Sequence, residues 1–142
     1  MTINELQDEI IEDFTLLDDW MDRYQLLIDL GEDEDDLSEE EKVDANLIEG
    51  CQSRVWLVCD EEDGILEYRA ESDALIVKGI AVLLMRVLSG HTPQEILDAD
   101  LYFIDKIGLS EHLSPTRSNG LLAMVKQMRM YALAYQTKLA QG

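Results

Sequence analysis

The chain has 142 residues, 46% apolar and 30% charged, a balance that suits one globular domain spanning 1–142 with a sizeable core. Its 31 acidic and 11 basic side chains leave a formal net charge of −20. Nucleic acid and anionic membrane surfaces are therefore excluded as expected partners, because both need clustered Lys and Arg. The charge is unevenly spread. Residues 1–50 carry 19 acids and 2 bases, residues 51–100 carry 10 and 4, and residues 101–142 carry 2 and 5. Two cysteines do not make a disulfide framework, so a reducing, cytoplasmic setting is expected. The first ten residues alternate apolar with acidic and lack a basic stretch, so no secretory leader is expected there.

Residues 3–30 read as helical. Ile3, Leu6, Ile10, Phe14, Leu17, Met21, Tyr24 and Ile28 recur at steps of three and four, with a break expected somewhere and Gly31 at the end. The acidic run 32–41 follows and reads as a solvated loop leading into a helix, Ser38 to Glu49. Ser38 and Glu41 form its capping box, and Gly50 ends it at positive φ. The run could instead bind a metal or a basic surface, but it lacks the alternating ligands and central glycine of an EF-hand. Residues 54–60 read as a strand with Val55, Leu57 and Cys59 on one face. A turn ending in Asp63-Gly64 leads to a return strand, 65–70. Ser72 and Asp73 offer an N-cap for a buried helix, 74–88. That run is too short for a membrane span and is interrupted by Lys78 and Arg86. Gly90 closes it, and Thr92-Pro93-Gln94-Glu95 is a second capping box opening a short helix. A further short helix, 101–107, ends at Gly108. Leu121, Val125, Met128, Ala132, Tyr135 and Leu139 then mark a long amphipathic helix. The expected fold class is α+β, a small antiparallel sheet packed against several helices.

Cys51 is the first candidate for chemistry, on a short loop where the period switches from helix to strand. A thiolate there can take up an electrophilic sulfur as a persulfide, and mobile backbone would let it reach another protein. It is otherwise a small buried hydrophobe. The negative end of a preceding helix would raise its pKa, so Cys51 need not be intrinsically reactive. Cys59, on the apolar face of its strand, reads as packing. Arg117 sits where the last helix begins, an unfavourable place for a cation, which leaves it either a contact for an anionic partner or a plain surface residue. Asp73 has a capping explanation, and His112 reads as a surface histidine. With two cysteines and the two histidines at 91 and 112, no zinc-ligand spacing exists, and no phosphate-binding glycine loop appears.

Three stretches carry a resemblance. Gly50-Cys51-Gln52-Ser53-Arg54-Val55-Trp56 resembles the GCQSxVW signature of the SufE family, the sulfur acceptors of iron–sulfur cluster assembly. Residues 72–79, Ser-Asp-Ala-Leu-Ile-Val-Lys-Gly, resemble its SDAxIVKG stretch. His112-Leu113-Ser114-Pro115-Thr116-Arg117-Ser118-Asn119-Gly120 resembles its HLxPxRxxG stretch. The resemblance implies a SufE/IscU-like architecture and Cys51 as persulfide acceptor. It also implies supporting or partner-binding roles for Gln52, Arg54, Asp73, His112 and Arg117. The implied partners are a SufS-like pyridoxal-phosphate cysteine desulfurase, which owns the cofactor, and a SufBCD-like cluster scaffold. No cofactor or metal is then expected on this chain, since a cluster scaffold uses several thiolates. Two other classes stay open. A stand-alone cysteine-dependent thiol transferase would need a base beside Cys51. An acidic protein-binding module would need no thiol at all.

Overall fold

The computed structural model describes residues 1–34 and 36–141, and for Thr116 the backbone alone. Asp35 of the acidic run lies outside the described residues. Helices α1 (Ile3–Thr15) and α2 (Trp20–Glu32) open the chain, and a two-stranded antiparallel sheet, β1 (Val55–Glu62) and β2 (Ile65–Ser72), follows. Five helices complete it: α3 (Leu75–Leu88), α4 (Pro93–Asp98), α5 (Phe103–Lys106), α6 (Leu109–His112) and α7 (Pro115–Gln141). The class is α+β, as expected.

The expected break in 3–30 falls at Thr15–Asp19. Asp19 caps α2 by accepting from the Met21 N–H at 2.9 Å, and α2 runs through Gly31 to Glu32. The expected helix from Ser38 to Glu49 does not form. That segment holds only turns and a single 3-10 turn, Asp44–Asn46, and Leu47 is already extended and bridged to Trp56. Glu39, Glu40 and Glu41 repel one another. Only Leu37 and Ile48 find burial, while Val43 stays exposed, so no apolar face exists to hold a helix down. Ser38 and Glu41 still meet, with the Ser38 N–H donating to the Glu41 carboxylate at 3.2 Å. Glu41 also takes both arms of the Arg69 guanidinium on β2, one at 3.1 Å, which fastens the segment to the sheet. The Arg69 hydrogen bonds, followed by the Ser38 N–H, hold the Glu41 carboxyl at about 2 against an ordinary 4.5. A depressed carboxylate pKa gives stability above pH 4.5 that is lost as pH falls toward 2. An NMR titration of the Glu41 carboxyl should therefore show a midpoint near 2, and Arg69→Gln should move it most of the way to 4.5. A midpoint unmoved by that substitution would assign the depression to the Ser38 cap instead.

The hairpin turn has positive φ at both Asp63 (54°) and Gly64 (83°), the geometry that matches strand twist. Alternation follows: Val55, Leu57 and Cys59 are buried, with Trp56 and Val58 half-buried on the other face. Both strand edges are partly covered. On the β1 side the Tyr131 and Tyr135 hydroxyls of α7 donate to the Leu57 and Cys59 carbonyls at 3.5 and 3.1 Å. On the β2 side Leu66 exchanges backbone bonds with Gly90 and His91, and the Ser89 hydroxyl accepts from the Tyr68 N–H.

Helix α3 is the centre of the core, buried continuously from Val77 to Leu84. It explains Lys78 and Gly79 of the second family stretch. A Cβ on Gly79 would lie 2.1 Å from the Leu27 carbonyl oxygen, so the backbones of α2 and α3 touch there. Lys78, buried beside them, pairs with Glu71 at 3.1 Å and Asp36 at 2.9 Å. Burial opposes its charge, but these hydrogen bonds outweigh it and raise its pKa. Gln7, also fully buried, donates to the Asp100 carbonyl at 2.9 Å and accepts from the Phe103 N–H at 3.1 Å.

Candidate functional site

Cys51 lies on an irregular loop, and the neck of that loop is fastened on both sides. The Ile48 N–H donates to the Val55 carbonyl at 2.8 Å, closing residues 49–54 into a small loop. Asp73 makes the second clip: its carboxylate accepts the Arg54 N–H at 3.1 Å while its own N–H donates to the Arg54 carbonyl at 3.3 Å. Asp73 therefore does not cap α3. The N-cap is Ala74, without a side-chain bond of its own, and Ser72 Oγ accepts the Ala74 N–H at 3.2 Å. A reciprocal pair to the Cys51 loop takes up the aspartate that sequence assigns to capping. Gly50 has the expected positive φ, 91°, but it closes a turn and not a helix.

The Cys51 thiol is half-buried and donates to the Gly120 carbonyl of α7 at 3.6 Å, a weak bond across 69 residues of sequence. A Cβ on Gly120 would sit 3.6 Å from Sγ, so the bare glycine leaves room beneath the sulfur. The cleft is floored by Val77 and Ile80 of α3 and by Met124 of α7, with Gln52, Ser53 and Arg117 at its rim. Its free volume is about 20 Å³, enough for one water-sized sphere. Burial pushes the Cys51 thiol above its ordinary 9.0. The direction is that expected from sequence, but the cause differs, since the helix expected at 38–49 does not form and burial supplies the shift. At pH 7 the resting group is the thiol.

Of the residues singled out, Cys51, Gln52 and Arg117 are thus brought together, and Arg54 and Asp73 hold the loop by backbone and carboxylate. The Arg54 side chain is exposed. His112 is not at the cleft. Its ring stacks on Trp20 at 3.9 Å, its Nδ1 meets the Gly108 carbonyl at 3.0 Å, and its own carbonyl accepts from the Tyr24 hydroxyl. It ties α6 to α2. His91 is buried, with Nε2 2.9 Å from the Met1 carbonyl. Among the described residues the cleft lining contains no imidazole and no carboxylate, and no three His, Cys, Asp or Glu groups converge on a metal-sized space. Ser53 and Gly120 are site residues that the residue-by-residue reading passed over. The last letter of the third family stretch was the available signal for Gly120.

Cys59, by contrast, is buried on its strand, and burial with the adjacent Asp60 charge pushes its thiol up to about 12. Of the two sulfurs, Cys51 is half-buried in the cleft and Cys59 is buried in the core.

The fold and cleft define an α+β domain that presents a single loop thiol beside a one-atom hollow. Residues 8–132 match the family model described as SufE, Fe-S metabolism associated domain, and the chain belongs to the SufE family. It is 45% identical over 127 residues to an uncharacterised SufE-like protein of Rhizobium etli, covering 86% of each chain. It is 42% identical to one from Rhizobium meliloti, over 88% of this chain and 93% of that one. A third, from Synechocystis, is 38% identical over 94% and 84% respectively. The fold also matches a solution structure of a hypothetical protein from Thermus thermophilus, with a TM-score of 0.76 and 24% identity. That match covers 93% of this chain and 96% of the other.

Proposed function

We propose that, within the iron–sulfur metabolism to which its family belongs, the chain is a sulfur carrier, accepting sulfur from a SufS-like cysteine desulfurase and relaying it to a SufBCD-like cluster scaffold. The observation that carries the reading is the Cys51 loop: fastened at its neck, its half-buried thiol held by a weak bond to the Gly120 carbonyl, with a one-atom hollow beside Sγ. In the transfer, the Cys51 thiolate attacks the terminal sulfur of the donor's cysteine persulfide. A new S–S bond forms at Cys51, the donor's S–S bond breaks, and its pair of electrons leaves on the donor thiolate. The Cys51 proton passes to solvent or to that leaving thiolate, and no external oxidant or reductant enters. Arg117 at the rim offers positive charge to the persulfide anion.

The absence of a base from the described cleft lining disfavours a stand-alone transferase, which would have to activate Cys51 unaided. A thiol raised by burial suits one that becomes a thiolate only in its partner's site. Steady-state turnover of the desulfurase from the same genome should rise on addition of this protein. Arg117→Ala should weaken that stimulation while leaving thermal stability unchanged or higher by a few tenths of a kcal/mol, since a cation leaves a helix N-terminus. A desulfurase indifferent to the wild-type protein would remove the carrier reading. Unchanged stimulation by Arg117→Ala would remove Arg117 from the site.

A further inference from the structure

Helix α7 carries two apolar stripes. Leu121, Met124, Met128 and Ala132 are buried against the core. One position round the helix, Leu122, Met130 and Leu133 are exposed, at 66%, 52% and 55%. With Val125 and with Leu97 of α4 they line an open groove of about 410 Å³, in which Lys126 and Arg129 also stand. A contiguous exposed apolar strip of this kind marks an interaction site.

Charge says what the groove accepts. The 27 residues of α7 contain four cations, Arg117, Lys126, Arg129 and Lys138, and no acid, in a chain with 31 acids elsewhere. Among the described residues none of the four lies within ion-pair distance of a carboxylate. Arg129 reaches only the Ala99 carbonyl, at 2.9 Å, and its Nε is buried without a partner. The groove is also continuous with the reactive loop. A neighbouring hollow shares Lys126 and Met130 with it and is walled by Gly50 and Ala123, with Asp44 and Glu49 also in its lining.

We propose that the α4–α7 groove docks an amphipathic helix of a partner protein, with apolar residues at three- and four-residue spacing and flanking Asp or Glu that pair with Lys126 and Arg129. A second copy is a poor occupant through the same face, since two α7 stripes would bring like charges together.

The probe is a stapled helical peptide with leucines along one face and glutamates on both flanks, compared with the same peptide carrying lysines in place of the glutamates. Binding is followed by amide NMR shifts of the wild-type protein. The glutamate peptide should shift Leu97 and the 122–133 segment, and the lysine peptide should bind about tenfold more weakly or not at all. Leu122→Asp with Leu133→Asp should abolish the shifts without lowering Tm, since both side chains are already exposed. Equal binding of the two peptides, or shifts centred away from α7, would overturn the proposal. So would self-association that the double variant abolishes, or binding of phosphatidylglycerol vesicles in preference to the glutamate peptide. Peptide binding alone judges the groove, so a failure of sulfur transfer at Cys51 would leave it standing.

Discussion

Incubation with a cysteine desulfurase and free cysteine should add one sulfur to residue 51 and none to residue 59, read by mass spectrometry of the peptides under non-reducing conditions. The two thiols differ in every respect that governs exchange. Cys51 stands at a cleft mouth on a loop, whereas Cys59 is 8% exposed beneath α7 with its thiol pushed to about 12. Cys51→Ser should abolish uptake altogether while the fold survives, because serine is close in size to cysteine and the half-buried loop thiol makes a single weak hydrogen bond, to the Gly120 carbonyl at 3.6 Å. Cys59→Ser should do the reverse. It keeps uptake and loses roughly 1–3 kcal/mol if the new hydroxyl has no partner in the apolar face it enters. Alkylation of the free protein should tell the same story by rate. Iodoacetamide should label Cys51 slowly at pH 7, with the rate climbing above pH 9, because burial raises its pKa from that value. Sulfur on Cys59, or persistent uptake by the Cys51→Ser protein, would mean the wrong thiol carries the chemistry.

Gly79→Ala should be the most damaging single methyl in the protein. Two effects oppose each other at this site. Alanine is the better helix former by about 1 kcal/mol, so on propensity alone α3 would gain. Against that, the new Cβ would lie 2.1 Å from the Leu27 carbonyl oxygen and 2.6 Å from its carbon, both backbone atoms that cannot rotate aside. The α2 and α3 backbones must separate, which also strains the Lys78 ion pairs one residue away. Overpacking of this kind costs roughly 1–3 kcal/mol or more, so the steric term wins. Thermal unfolding should fall by roughly 4–12 °C at this chain length. A raised Tm would show that α2 shifts freely, and the close approach would then be incidental. Lys78→Ala is the companion case. It leaves Glu71, itself 7% exposed, as a buried charge without its cation, a loss of about 3–5 kcal/mol.

Both residues are legible in the sequence only as letters of a family stretch. The strand hairpin, the Thr92-Pro93 capping box and the period of α7 can be read directly, because each depends on neighbours within a few residues. Asp63-Gly64 needs positive φ at both positions whatever the rest of the chain does, and Thr92 meets Glu95 within one helical turn. Cys51 is legible too, from Gly50 beside it and from the signature around it. The helix break at Thr15–Asp19 is expected but not locatable, since the apolar period runs through it unbroken and only the Asp19 cap marks the restart.

Tertiary structure decided the remainder. Ser38 to Glu49 has a helix's letters but no helix, because its acids lack an apolar face to bury and Arg69, on a strand 28 residues away, takes Glu41. Asp73 has the letter and the position of a cap, yet a loop 19 residues back offers its backbone first. The hollow beside Cys51 exists because Gly120, 69 residues on, presents a carbonyl and no side chain beneath the sulfur. Local preferences are set by a residue's own neighbours and so can be read from sequence. Which of two competing partners a charged or polar group takes depends on what packing brings within about 3 Å, and no spacing along the chain encodes that distance.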